Sequence, residues 1–198
     1  MDKIYILIII TILVIFHLIS YDNVHKNGTV FYDNLQNDPN SPPQIYDIIH
    51  ENLPNLSKYA IVPNKIFIAI ILGIIVFAWN GSLSKEFLGF MLIVMFLRDI
   101  TMNLTIFPKD QKSNKNKKEN PIMGGLYDKL FSGHFAFCLL ASLLFFKYGI
   151  ITNIPLLVVF NCINAFLIVA THSHYTVDVA FSLFVTLFLF QNDIKVPL

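Results

Sequence analysis

The sequence predicts an all-α fold, a bundle of six transmembrane helices, and three observations carry that prediction. Of 198 residues, 55% are hydrophobic and only 14% are charged, with a mean hydropathy of +0.62; a water-soluble domain does not combine so much apolar surface with so little charge. The apolar residues gather in runs near the roughly 20 residues that a helix needs to cross a bilayer. Polar, proline-bearing or lysine-rich stretches separate these runs. The length fits a single domain, 1–198. A net charge of +1 gives no sign of a nucleic-acid partner. Cys138 and Cys162 both lie inside apolar runs and read as small packing residues, not as a disulfide.

The six spans fall at about 4–21, 62–79, 86–107, 131–148, 150–170 and 175–191. The first, "IYILIIITILVIFHLIS", is long for a signal-peptide core and has no small-residue cleavage site, so it reads as a retained signal-anchor. Tyr21, Trp79, Phe107, Tyr148 and Tyr175 punctuate span ends, as an interfacial aromatic belt does. Residues 22–61 are polar, and their "DPNSPPQ" turn cluster starts a short helix, "QIYDIIHENL". Residues 108–120, "PKDQKSNKNKKEN", form a basic low-complexity loop. Gly124 and Gly125 then permit a bend into the fourth span. Short loops at 80–85 and 148–153 make hairpins of spans two and three and of spans four and five. No internal repeat is visible.

Chemistry concentrates at two span mouths. His134, in "SGH", opens the fourth span; "HSHYTVD" places His172, His174 and Asp178 at the mouth of the sixth. Two spans separate these openings, so the chain crosses and returns, and they share a membrane face. Asp178 follows His174 by four residues, one helical turn. Its carboxylate can therefore accept a hydrogen bond from one imidazole nitrogen and decide which nitrogen faces outward. Ionisable groups at a span centre cost roughly 2.5–3.5 kcal/mol, and less near the interface. One reading makes these residues interfacial hydrogen-bonders that hold helices together. The other makes them phosphoryl-transfer machinery: a carboxylate-held histidine is a competent nucleophile, and a second histidine serves as general acid and base. A site at the membrane surface suits a substrate with its tail in lipid and its phosphate in the interface. A metal set of His172, His174, Asp178 and His134 is conceivable. His172 and His174 diverge, however, and no metal or other cofactor is expected. Ser132 lacks the Gly-x-Ser-x-Gly setting of a serine nucleophile.

These motifs resemble those of the sphingomyelin synthase family, within the type 2 phosphatidic acid phosphatase superfamily. "FSGH" and "HSHYTVDV" are similar to its two catalytic motifs, "PPQIYDIIHENLP" to its proline-aspartate motif, and "LRDITMNLTIFP" to its Arg-x-x-Thr-Met motif. The correspondence runs in order from about Pro42 to about Phe190. The resemblance implies six spans, a nucleophile at His174, an orienting carboxylate at Asp178 and an acid/base at His134. It implies phosphocholine transfer from phosphatidylcholine to ceramide by a ping-pong route that releases diacylglycerol and needs no metal. The partners implied are thus a phospholipid donor, ceramide or diacylglycerol, and the bilayer. Departures from the pattern bear on headgroup and acceptor. Phe135 stands where a threonine is usual, and only Asp128 remains of a Cys-Gly-Asp, with Leu126 and Tyr127 beside it. The arginine-rich signature of the superfamily's phosphatases is absent, which favours transfer over hydrolysis. The alternatives are a phosphoethanolamine- or inositolphosphate-transferring relative, a lipid phosphate phosphatase, a diacylglycerol headgroup exchanger, and a catalytically silent lipid-binding scaffold.

Arg98, Lys129, Ser132, His172 and Tyr175 complete the candidate substrate-binding set. Arg98 reads either as a bidentate phosphate ligand or as an interfacial anchor, and Lys129 as a source of positive potential or a snorkelling anchor. Asp99 and Thr101 read as helix braces. Asp47 and Glu51 read as a solvated face of the short helix, Asn161 and Asn164 as interhelical hydrogen-bonders. Of the 14 lysines and arginines, all but Lys3, Lys85, Lys147 and Lys195 fall on the His134–His174 face. The positive-inside rule turns that face to the cytosol. The family resemblance turns it to the lumen of the endoplasmic reticulum or Golgi, or to the cell exterior, and this luminal or exoplasmic orientation is the expectation here. The sequons at Asn27, Asn55 and Asn80 occur on both faces and do not arbitrate.

Overall fold

A computed structural model describes residues 3–33, 45–78, 81–110 and 125–198. These form helices α1 (Lys3–Gly28), α2 (Ile48–Asn52), α3 (Ile61–Ala78), α4 (Ser82–Leu104), α5 (Gly133–Lys147), α6 (Ile154–Ala170) and α7 (Thr176–Gln191). No strand occurs among the described residues, as an all-α fold requires. The "DPNSPPQ" cluster, Trp79, the sequon at Asn80, Gly124 and the basic loop beyond Asp110 lie outside the described residues.

The six long helices fall where the six spans are expected, with shifted ends. Among the described residues, three stretches are long and apolar enough to cross a membrane: Ile4–Tyr32, Ser57–Ile74 and Ser82–Leu104. Helices α5, α6 and α7 are apolar but hold 15, 17 and 16 residues. At about 1.5 Å per residue they reach roughly 23–26 Å, short of the hydrocarbon thickness of about 30 Å. Their starts are set by capping chemistry that a hydropathy window does not register. The Ser132 hydroxyl accepts the Phe135 N–H at 3.4 Å, and Asn153 Oδ1 accepts the Leu156 N–H at 3.0 Å, each satisfying one otherwise unpaired amide.

Helix α1 runs well past its expected end because its polar tail finds partners on α4. His17 Nδ1 lies 2.7 Å from Asp99 Oδ1, Asn23 donates to Asn103 Oδ1 at 2.8 Å, and Val24 is buried against Met102 and Tyr127. Asp99 thus braces helices, as read from the sequence. Thr101 does the same, donating to the Arg98 and Leu130 carbonyls.

Helix α5 is apolar on every side, and such a helix belongs inside a bundle. It packs against α3, α4, α6 and α7, burying Ala136, Leu140, Ala141 and Leu144 with Phe90, Val94 and Leu189. Large apolar side chains instead face outward on α1 (Leu7, Ile12, Ile19), α6 (Leu156, Val159, Ile163) and α7 (Phe184, Phe188). Such a belt is compatible with a multi-pass membrane protein. Gly125 permits a close approach: a Cβ there would meet the Tyr21 ring at 2.9 Å.

One segment leaves the bundle and folds across its end. After α2 the chain passes through a short 3-10 turn, Ser57–Tyr59, and the Leu56 N–H donates to the Ala170 carbonyl at 2.8 Å. This lays α2 over the loop between α6 and α7.

Candidate active site

That loop, 171–175, carries His174. It forms because Ala170 ends a β-branched, apolar helix and Tyr175 starts the next one with its backbone extended. Asp178 stands at the third position of α7, and its Oδ2 accepts the Tyr175 N–H at 2.9 Å. The carboxylate half of a capping box is thereby filled, and Asp178 is fully buried.

His174 lies one turn from Asp178, as the spacing predicts, with Nδ1 3.5 Å from Oδ2. A nearer acceptor takes the proton, however: Nδ1 is 2.7 Å from the Lys129 carbonyl oxygen. A carbonyl can only accept, so Nδ1 carries hydrogen and the lone pair of the neutral ring sits on Nε2. Asp178 therefore supplies charge beside the ring and caps the helix, while the Lys129 backbone sets the tautomer. Burial pushes the imidazole below the usual histidine range, against the pull of Asp178. A neutral ring near neutral pH is the consequence.

The segment before α5 is fastened to this loop from both ends. Lys129 is buried, and its Nζ donates to the Ser173 carbonyl at 2.7 Å. Ser132 N–H reaches the Asp178 carbonyl at 3.4 Å, and Ser182 Oγ donates to the Ser132 carbonyl at 3.1 Å. Ser132, fully buried, is a helix cap and a link to α7. His134 stands on the first turn of α5 at this same end of the bundle, its ring edge-on to Phe67 at 5.1 Å.

Arg98, the single arginine of the chain, is engaged by Asp128: Nη2 lies 2.7 Å from Oδ2 and 3.2 Å from the Asp128 carbonyl. Burial works to raise the Asp128 pKa, but the charges of Arg98 and Lys129 outweigh it and hold the carboxyl below its usual range. Asp128 Oδ1 also accepts the Gly125 N–H at 2.7 Å. The pair thus ties the end of α4 to the segment that presents the Lys129 carbonyl to His174.

Three residues that the sequence reading did not place in the site, His50, Asp110 and Asp47, converge with His172 on the other side of the loop. His50 of α2 is buried, and its Nε2 donates to the His174 carbonyl at 2.9 Å. Its Nδ1 is 3.0 Å from Asp110 Oδ2, which also lies 2.7 Å from His172 Nδ1. Burial works to lower the His50 pKa, but Asp110 and the charge of Asp47 outweigh it and raise it. Asp47 is not the solvated residue expected. It caps α2 and accepts from the Thr176 N–H at 2.6 Å and the Thr176 hydroxyl at 2.9 Å, pinning α2 to the start of α7. Glu51 is exposed, as read. Tyr175 is buried, its hydroxyl donating to the Pro108 carbonyl at 3.1 Å.

From this end an apolar groove of about 680 Å³ descends between α5, α6 and α7. Phe135 and Thr176, neighbours in sequence of the candidate catalytic histidines, line its upper part, and Phe146 lines its lower part. Phe135 to Phe146 spans roughly 16 Å of helix, close to one leaflet of a hydrocarbon core about 30 Å thick. Asn161 crosses it partway, donating to Ser142 Oγ at 2.9 Å.

A family model described as PAP2 superfamily C-terminal matches residues 127–194, about a third of the chain. The matched stretch holds Lys129, Ser132, His134, His172, His174, Tyr175 and Asp178, while Arg98, Asp110 and His50 precede it. Comparison with curated proteins gives no match. The family match supports the type 2 phosphatidic acid phosphatase-like superfamily, whose members are phosphatases and phosphotransferases. It supports phosphoryl-transfer chemistry on lipids and does not single out sphingomyelin synthases.

Proposed function

We propose that the chain is a six-span membrane phosphotransferase that moves a phospholipid headgroup, phosphocholine from phosphatidylcholine, to the primary hydroxyl of ceramide. The observation that carries the reading is the tautomer of His174: Nδ1–H is donated to the Lys129 carbonyl at 2.7 Å, and Asp178 lies behind the ring at 3.5 Å. Nε2 attacks phosphorus, the bond from phosphorus to the diacylglycerol oxygen breaks, and His134 gives its proton to that oxygen. Asp178 steadies the positive charge that His174 gains. His134, now neutral, takes the proton of the ceramide hydroxyl; the oxygen attacks phosphorus, and the bond to Nε2 breaks. Lys129 contributes positive potential for the phosphate, and Arg98 acts by bracing the 125–132 segment through Asp128. The groove, one leaflet deep and nearly all carbon, takes a lipid chain.

A second reading follows from the family match, which fits phosphatases equally. There water replaces ceramide in the second half-reaction, and headgroup phosphate is released. Incubating purified enzyme with headgroup-labelled phospholipids and ceramide decides. Labelled sphingolipid supports transfer, labelled water-soluble headgroup phosphate supports hydrolysis, and no turnover supports a lipid-binding scaffold.

A further inference from the structure

Three ligand-type side chains from distant parts of the chain meet beside His174. His50 Nδ1 and His172 Nδ1 both approach Asp110 Oδ2, at 3.0 and 2.7 Å, and the three donor atoms lie within 4.8 Å of one another. We propose that His50, Asp110 and His172 form a binding site for a divalent transition metal, Zn2+ in preference, which fastens α2 and the stretch after α4 to the loop that carries His174.

Two imidazoles and one carboxylate are a donor set suited to Zn2+, and three protein ligands leave a fourth position for water. Bonds of about 2.0–2.2 Å in a tetrahedron place ligand atoms roughly 3.3 Å apart. The observed approaches to Asp110 therefore need to open by about 0.3 and 0.6 Å, and the His50 and His172 nitrogens, within 4.8 Å of each other, must settle at the same spacing. The three side chains are 5%, 10% and 2% exposed, so an ion held there is shielded from competing water.

Two further features suit a metal centre. His50 donates Nε2–H to the His174 carbonyl, the kind of outer contact that orients a ligating histidine with its other nitrogen toward the ion. His172 adopts φ 56, a left-handed conformation that costs a non-glycine residue of order 1 kcal/mol or more and persists only where its surroundings hold it. Without metal, the Nδ1 hydrogens occupy the place of the cation. On binding, His50 releases its Nδ1 proton to solvent and keeps Nε2–H, and His172 shifts its hydrogen to Nε2. The inference does not rest on the transferase reading, since the three residues take no part in the chemistry written above.

The test uses the full chain purified in detergent, stripped with a chelator and titrated with Co2+. One equivalent should bind and survive dialysis, give the visible absorption of tetrahedral Co2+, and be displaced by Zn2+. His50→Ala, Asp110→Ala and His172→Ala should each weaken binding by more than about tenfold, while His17→Ala, far along α1, binds like the parent chain. Absence of saturable metal in the parent chain overturns the proposal and leaves a hydrogen-bonded clamp only. So does undiminished binding by the His50→Ala/His172→Ala double variant. The titration of the parent chain decides even where a variant fails to fold, and His172→Gln, which keeps the side-chain bulk, serves as a milder replacement.

Discussion

The His174 imidazole donates its Nδ1–H to the backbone carbonyl of Lys129, 45 residues earlier in the chain, at 2.7 Å. A main-chain acceptor cannot be titrated or removed by mutation, so it fixes the tautomer more firmly than a side chain would. It also explains why the segment before α5 is fastened so heavily, by Arg98 with Asp128, by Lys129 with Ser173 and by Ser132 with α7. A shift of that segment would carry the carbonyl away from the ring.

Asp178 then has two separable roles, charge beside His174 and capping of α7. Asp178→Asn keeps an acceptor for the Tyr175 N–H but removes the charge. Turnover should fall by about 100- to 10,000-fold, with a stability loss within about 1 kcal/mol. Asp178→Ala should lose both. Paired assays of rate and thermal unfolding check this; equal stability of the two variants would mean that the cap contributes nothing.

Arg98 braces the 125–132 segment through Asp128. Removing it leaves Asp128 charged and buried, a loss of about 3–5 kcal/mol, and Arg98→Met/Asp128→Asn should regain much of that. A double-mutant cycle on thermal stability measures the coupling. If Arg98→Lys leaves stability untouched and raises KM for the phospholipid donor alone, Arg98 binds phosphate instead.

The groove between α5, α6 and α7 should select for chain length. Ala165→Phe places a ring among its lining residues. Activity toward long-chain lipids should drop several-fold while that toward short-chain analogues holds. An equal drop for both would place the lipid elsewhere.

The orientation expected from the family resemblance, with the His134–His174 face luminal or exoplasmic, runs against the lysine count. With Cys138 and Cys162 replaced by serine, Lys109→Cys should react with an impermeant thiol reagent from outside sealed cells, or only after the organelle lumen is opened. Labelling on permeabilising the plasma membrane alone would turn the site to the cytosol.

What could be read from the sequence was local. The four-residue step from His174 to Asp178 and the polar bracing by Asp99 and Asn161 follow from spacing and residue type, and the structure shows each of them. What escaped depends on distant pairing. Nothing in "YDIIHENL" says that His50 will reach the His174 carbonyl, because that contact requires the segment after α1 to fold back across the bundle. Asp110 stands at the edge of the basic low-complexity loop, where neither residue type nor spacing singles it out. The one available signal was the placement of both residues on the membrane face of His174, in stretches that begin or end at prolines. Helix ends escaped for a similar reason: α1 continues because Asn23 and His17 find partners on α4, and α5 and α6 start late because of their caps.

The most direct test of the account is capture of the covalent intermediate. Enzyme incubated with headgroup-labelled phosphatidylcholine and no acceptor, with a chelator present, then quenched in alkali, should carry acid-labile label on protein. His174→Ala should carry none. His134→Ala should carry little, because the diacylglycerol oxygen then leaves without its proton. Added ceramide should discharge the label from the parent enzyme into lipid. Equal label on His174→Ala, or strictly ternary-complex kinetics with nothing trapped on active enzyme, would contradict a nucleophile at His174 even if all three residues prove essential.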